Sequence, residues 1–414
     1  VPAAAPVDRL PQALAAALEE ALPELVRLRR HFHRHPELSG HEQQTAALVA
    51  GELRRWGWEV REGVGRTGVV AELGPSGAPL VALRTDMDAL PIEERTALPY
   101  SSSQQGLMHA CGHDIHTTIG LGVARLLASR PEGLPCRVRL LFQPAEETAQ
   151  GARWMREAGA MEGVRAIFGV HVFPSLPVGS IGVRAGSLTA AAGELEIEVL
   201  GESGHGARPH QSTDAIWIAA RVVSGLQEAI SRRLDPLHPV VVSFGRVEGG
   251  RAFNVIADHV KLLGTVRCLD LQVHDRLPGW IEETVHALCR GHGGEARVHY
   301  RCISPPVHND VALTQLVADA AEELLGRPQV LWLDQPSLGA EDFAELLQDT
   351  PGTMFRLGVA GPGGCTPLHS NTFAPDESCL AVGVKVLALS LLRWGQGHHQ
   401  PLAAEVAGAT AHAS

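Results

Sequence analysis

The stretch Glu194-Leu195-Glu196-Ile197-Glu198-Val199 alternates strictly between charged and apolar residues, the period of a strand with one solvated face. It opens a run with the predicted order β-α-β-β-α-β. The helix Asp214 to Arg232 comes next, then strands Val240 to Val247 and His259 to Leu269, the helix Gln272 to Arg290 and the strand Glu295 to Cys302. That order is the one of a ferredoxin-like sandwich. The flanks read differently. Strands Gly68 to Leu73, Pro79 to Arg84, Cys136 to Phe142 and Ala166 to Val172 alternate with helices, as in a mixed, largely parallel sheet with helices on both faces. We therefore expect an α/β fold of two domains: a larger one in two segments, 1–186 and 304–395, and a ferredoxin-like insertion at 187–303. A disordered tail is expected at 396–414.

At 414 residues the chain exceeds one ordinary core, which agrees with two domains. A formal charge of -11 with no Lys/Arg-rich run argues against a nucleic-acid partner. No apolar stretch is long enough to span a bilayer. Seven scattered cysteines give no disulfide framework and point to a reducing compartment, the cytoplasm. The chain begins at Val1 rather than methionine, so a removed leader stays open.

Local signals mark further boundaries. Leu14, Leu18, Leu22, Leu25, Leu28 and Phe32 recur at helical spacing, with Pro23 expected to kink the helix or start a new one. Ser39-Gly40-His41-Glu42 reads as a capping box for the next helix. His31, His33 and His35 alternate, and i, i+2 spacing on a helix sends them to different faces. They read as a polar helix end rather than as ligands.

The densest chemistry lies in Met108-His109-Ala110-Cys111-Gly112-His113-Asp114-Ile115-His116-Thr117, which sets a thiol, three imidazoles and a carboxylate between a loop and an apolar helix. Few uses other than holding a metal need that mixture. Asp86, Asp88, Glu146, Glu147 and His171 fall at or near predicted strand ends, where open α/β sheets collect reactive groups. Singly, each has a plain structural reading: a buried cysteine, a core histidine, a solvated Glu-Glu pair. Their shared placement favours a metal-dependent hydrolase, in which one carboxylate ligates and the other stays free as a base. A cysteine nucleophile at Cys111 beside His113, and a catalytically silent metal-holding protein, are the rival classes.

The segments RTDMDALP (84–91), HACGHDIHT (109–117), QPAEE (143–147), GVHV (169–172), GHGARPH (204–210), NVIAD (254–258), EDF (341–343) and LHS (368–370) carry a resemblance. In this order they are similar to the aminoacylase and hippurate hydrolase family, which includes bacterial N-acyl-amino-acid amidohydrolases and plant auxin-conjugate hydrolases. The resemblance implies two divalent metals per chain, and the thiolate and carboxylate chemistry admits zinc, manganese or cobalt. It implies Cys111 as a bridging ligand, with His113, Glu147, His171 and His369. It implies Glu146 as general base, Asp88 as an orienting carboxylate and His205 as oxyanion donor, supplied in related enzymes by the partner subunit. The inserted domain is then a lid or dimerisation domain of a homo-oligomer. More distant relatives place a ligating His-x-Asp where this chain has Asp86-Met87-Asp88. The expected substrate is a small N-acyl amino acid, with Asn254, Arg267 and Arg251 as candidates for its carboxylate. A dipeptidase or carboxypeptidase using the same centre is the alternative.

Overall fold

The computed structural model describes residues 10–129 and 131–397. Most of the expected tail lies outside the described residues. Contacts group the chain into two compact units, one from 1–186, 308–334 and 345–414, the other from 187–307 and 335–344.

The first unit is built on α1 (Leu10–Arg34), α2 (Gln43–Arg55), β1 (Glu59–Glu62), β2 (Val69–Leu73), β3 (Leu80–Asp86), α3 (His113–Ala128), β4 (Arg137–Gln143), α4 (Gly151–Glu157), β5 (Val164–Pro177) and β6 (Ile181–Val183). The second unit contains β7 (Ala191–Leu200), α5 (Ala215–Arg233), β8 (Val240–Gly249), β9 (His259–Cys268), α6 (Leu271–Gly291) and β10 (Glu295–Ser304). The chain then adds α7 (Val311–Leu325), β11 (Val330–Trp332), β12 (Gly352–Ala360) and α8 (Cys379–Gly395) to the first.

The eight-stranded sheet has the order β1-β2-β4-β3-β5-β12-β6-β11. Its centre, β4-β3-β5-β12, is parallel throughout. Strand β3 is buried at every position, as a strand covered on both faces must be. Helix α3 is apolar nearly all round and correspondingly buried. The core of this unit joins Leu25, Leu28 and Phe32 of α1 to Phe142, Phe168, Phe355 and the inner face of α8. The four strands of the second unit are ordered β8-β9-β7-β10, all antiparallel, which is the ferredoxin-like topology. Its core sets Leu195, Ile197 and Val199 against Ile218, Val222 and Leu226 of α5 and Ile281 and Val285 of α6.

Three local expectations are corrected. Helix α1 runs unbroken through Pro23. The ring removes one backbone donor, but the acceptor four residues back belongs to exposed Glu19, where water replaces it. Burial of Leu18, Leu25, Leu28 and Phe32 holds the remainder. Ser39 and Glu42 do not form a capping box. Glu42 is the N-cap residue of α2 without a side-chain cap, and the free amides of Gln44 and Thr45 bond instead to the Glu37 carboxylate, at 3.1 and 2.8 Å. Finally, His33 is fully buried rather than part of a polar helix end. Its ring reaches Asp114 at 2.7 Å and Glu94 at 3.2 Å, while Arg29 reaches Asp114 at 3.1 Å.

Candidate metal centre

Backbone geometry first sets the donors. Gly112 stands at φ 82°, a left-handed conformation that costs glycine little, and a β-carbon there would sit 2.6 Å from Val172 Cγ2. The turn lets α3 begin at His113, so His113 lies on the first helical position. Strand β5 likewise runs past His171 to Pro177 instead of ending there. The β3–β5 ladder stops at Arg84–Gly169, so His171 lies two residues past its last pairing with β3. Glu146 and Glu147 follow β4 in a tight turn around Ala145, whose φ of 53° is rare for a residue with a β-carbon.

These elements bring together five expected ligands. Cys111 Sγ lies 3.6 Å from His171 Nε2, and His369 Nε2 lies 3.5 Å from Glu147 Oε2. His113 Nε2 faces Glu147 Oε1 at 3.9 Å and Glu146 Oε2 at 3.8 Å. Two donor groups of metal-binding size result, Cys111–His113–His171 and Cys111–Glu147–His369, and they share the thiol. A third, His113–Glu146–Glu147, includes the expected base.

Asp88 organises the set. Its Oδ1 accepts from His113 Nδ1 at 3.1 Å, and its Oδ2 accepts from Ser39 Oγ at 2.6 Å and from the Glu147 amide at 3.0 Å. His171 Nδ1 donates to the Val172 carbonyl at 2.8 Å. Both imidazoles therefore turn Nε2 toward the centre. His113 Nε2 and Glu147 Oε1 are buried without a hydrogen-bond partner, a costly condition that a divalent cation relieves. Burial, reinforced by Asp88, pushes the Glu147 carboxyl up to about 7 against the opposing pull of His113. Burial, with Glu147 and Glu146 nearby, drives the Cys111 thiol well above its usual range. A soft thiolate, three imidazoles and a carboxylate around buried, unsatisfied atoms fit zinc-type ligation.

His116 and Asp86 also lie beneath the centre, where Asp86, His113 and His116 form another close group. His116 is already committed, because Nδ1 donates to Asp86 Oδ1 at 2.6 Å and Nε2 accepts from the Val172 amide at 2.9 Å. Arg84 completes the support by donating to Asp86 Oδ2 at 2.8 Å and to Gln143 at 2.8 Å. His116 thus supports the centre rather than lining it, and its i, i+3 spacing from His113 puts both rings on one helix face.

In the second unit His205 and Asn254 are neighbours. His205 pairs with Val255 in a short antiparallel ladder, and the Gly206 amide donates to the Asn254 carbonyl at 2.9 Å. Both side chains are exposed, as is Arg251. Arg267 stands near the opposite end of β9 from this ladder and donates to the Val266 carbonyl at 3.0 Å.

The fold and the buried donor set are those of a hydrolase built on an α/β domain with an inserted α+β domain. A family model described as Peptidase family M20/M25/M40 matches residues 82–393, and the chain belongs to that family. It is 53% identical to a probable hydrolase of Synechocystis, over 91% of this chain and 96% of that protein. It is 38% identical to an N-acetyl-L-cysteine deacetylase of Bacillus subtilis, over 86% and 85% of the two chains. Among solved structures, a dinuclear metal binding peptidase of this family from Bacillus subtilis superposes with a TM-score of 0.81 at 36% identity, covering 91% of this chain and 99% of the other.

Proposed function

We propose that the protein is a metal-dependent amidohydrolase that cleaves N-acyl amino acids to a carboxylic acid and a free amino acid. The observation that carries this reading is the pair of donor groups sharing Cys111, with Glu146 beside them. Cys111, His113 and His171 would hold one divalent cation, and Cys111, Glu147 and His369 a second, each zinc, manganese or cobalt. When bound, the cations lower the pKa of water and polarise the scissile carbonyl.

Glu146 takes a proton from the attacking water as its oxygen bonds to the acyl carbon. The same carboxyl returns that proton to the nitrogen as the C–N bond breaks. Asp88 keeps His113 in the tautomer whose Nε2 is free. His205 donates to the developing oxyanion, and Asn254 receives the carboxylate of the amino-acid half; Arg267, near the far end of β9, would join Asn254 there from the other subunit of a dimer. His205→Ala is expected to lower kcat about 100- to 1000-fold with an unchanged unfolding curve.

The inserted unit is proposed as a dimerisation domain. Ile216 and Val247 remain 51% and 63% exposed beside an apolar cavity of about 460 Å³ that they line together with Val223 and Leu262. Ile216→Glu is expected to shift the sedimentation coefficient toward a monomer. Seven free cysteines support a reducing, cytoplasmic setting.

The test is amine release from N-acetyl, N-benzoyl and indole-acetyl amino acids alongside dipeptides, on chelated protein and after adding back each metal. Restored cleavage of acyl-amino acids is expected. The family's peptidase members favour a second reading, and metal-restored cleavage of dipeptides alone would establish it instead. Activity that survives chelation but not alkylation would move the chemistry to Cys111.

A further inference from the structure

The Ser39–Glu42 turn, released from capping α2 by Glu37, spends its side chains elsewhere. Glu42 is completely buried, and the described residues give its carboxylate no basic partner. Its Oε1 accepts from the Gly40 amide at 2.8 Å and the Ala145 amide at 2.9 Å, and its Oε2 accepts from the Thr67 hydroxyl. Ala145 is the left-handed residue immediately before Glu146 and Glu147. Ser39, three residues from Glu42, donates to the Asp88 oxygen that also receives the Glu147 amide.

Burying a carboxylate without a cation costs stability unless each lone pair is used. Here one of the three Glu42 bonds reaches Ala145, and Ser39 reaches the Asp88 oxygen that holds the Glu147 amide, so both side chains act on the turn that carries both working carboxylates. We infer that Ser39 and Glu42 are positioning residues: Glu42 holds Ala145 in its strained conformation, and Ser39 fixes Asp88, so that one turn ahead of α2 aims Glu146, Glu147 and His113. This inference rests on the metal centre proposed above. It requires geometry rather than charge, since the amide of glutamine can accept the same two backbone donors.

The experiment is titration of chelated protein with cobalt(II) against a competing chromophoric chelator, with the visible cobalt spectrum and the urea unfolding midpoint recorded for each variant. Ser39→Ala and Glu42→Ala are expected to weaken cobalt binding about 10- to 100-fold and to alter the spectrum. Glu42→Gln is expected to stay within about threefold of the parent, on the argument that bond geometry rather than charge is needed. Parent-like affinity and spectrum in Ser39→Ala and Glu42→Ala overturn the inference. So does a Glu42→Gln variant as impaired as Glu42→Ala. Should Glu42→Ala fail to fold, Ser39→Ala, which removes one partly buried hydroxyl, decides alone. A parent protein that binds no cobalt overturns the metal centre itself, a result distinct from either of these.

Discussion

Glu146 and Glu147 are adjacent and both nearly buried, yet the turn at Ala145 gives them different surroundings. Glu147 spans from His113 to His369, whereas Glu146 touches the donor set at its edge. Glu146→Gln is therefore expected to lower turnover about 100- to 10,000-fold while two metal ions per chain remain, as elemental analysis would count. Unchanged turnover would remove Glu146 from the chemistry. His33 offers a prediction of another kind. Burial lowers its pKa, but bonds to Asp114 and Glu94 outweigh that and raise it above 6.5, while Glu94, opposed by burial, is held down at about 2. A raised histidine stabilises fully below its unfolded pKa of 6.5, and that stability is lost as pH rises through the folded value. A depressed carboxylate stabilises above 4.5 and loses its contribution as pH falls toward 2. The loss of melting temperature in His33→Asn should thus be largest between about pH 4.5 and 6.5 and shrink on either side. The i, i+2 spacing correctly sends His33 to a different face from its neighbours, but His31 and His35, four residues apart, share one, with ring centroids 4.6 Å from each other. Nothing in it says that the middle ring is the one turned inward, because its partners Glu94 and Asp114 are distant in sequence.

The two glycines that shape the centre can be contrasted with one that shapes nothing. Gly151 opens α4 with its missing β-carbon only 1.5 Å from the Pro144 carbonyl, and Gly51 lies in α2 with nothing within 4 Å. Gly151→Ala is expected to cost about 1–3 kcal/mol by displacing the carboxylate turn. Gly51→Ala should gain about 0.5–1 kcal/mol from helix propensity. Urea unfolding of the two variants checks both signs. Elements with a clean period were legible: the β-α-β-β-α-β order needed only strict alternation and helical spacing. Short strands β1, β6 and β11 were not anticipated, since three or four residues carry too little periodicity to register. The capping box failed for a different reason. A serine and a glutamate three residues apart satisfy the helix pattern whether they bond to α2 or to Asp88 and Ala145, and only the tertiary fold chooses between them.

The candidate ligands were legible in two ways: strand ends, the Cys111-x-His113 pair and the Glu146-Glu147 pair each leave a mark in sequence, whereas His369 was expected only from the family resemblance, and the fold collects Cys111, His113, Glu147, His171 and His369 in one unit. Which residues support them was less visible, because Arg84, Asp86 and His116 act only through contacts between separate elements. Chelation is expected to lower the unfolding temperature of the unit holding the ligands. That temperature should rise again with the logarithm of added zinc or cobalt, as linkage requires, and scanning calorimetry would read it. A temperature indifferent to metal would contradict the centre. Glu147 precedes the insertion and His369 follows it, and they meet at 3.5 Å. An ion held by both acts as a reversible staple that closes the intervening chain into a loop. By the relation used for disulfides, closing so long a loop is worth about 5 kcal/mol in the unfolded ensemble. A ligand recruited for chemistry would then also serve as a cross-link, and metal-starved cells would hold not merely an idle enzyme but one less firmly closed.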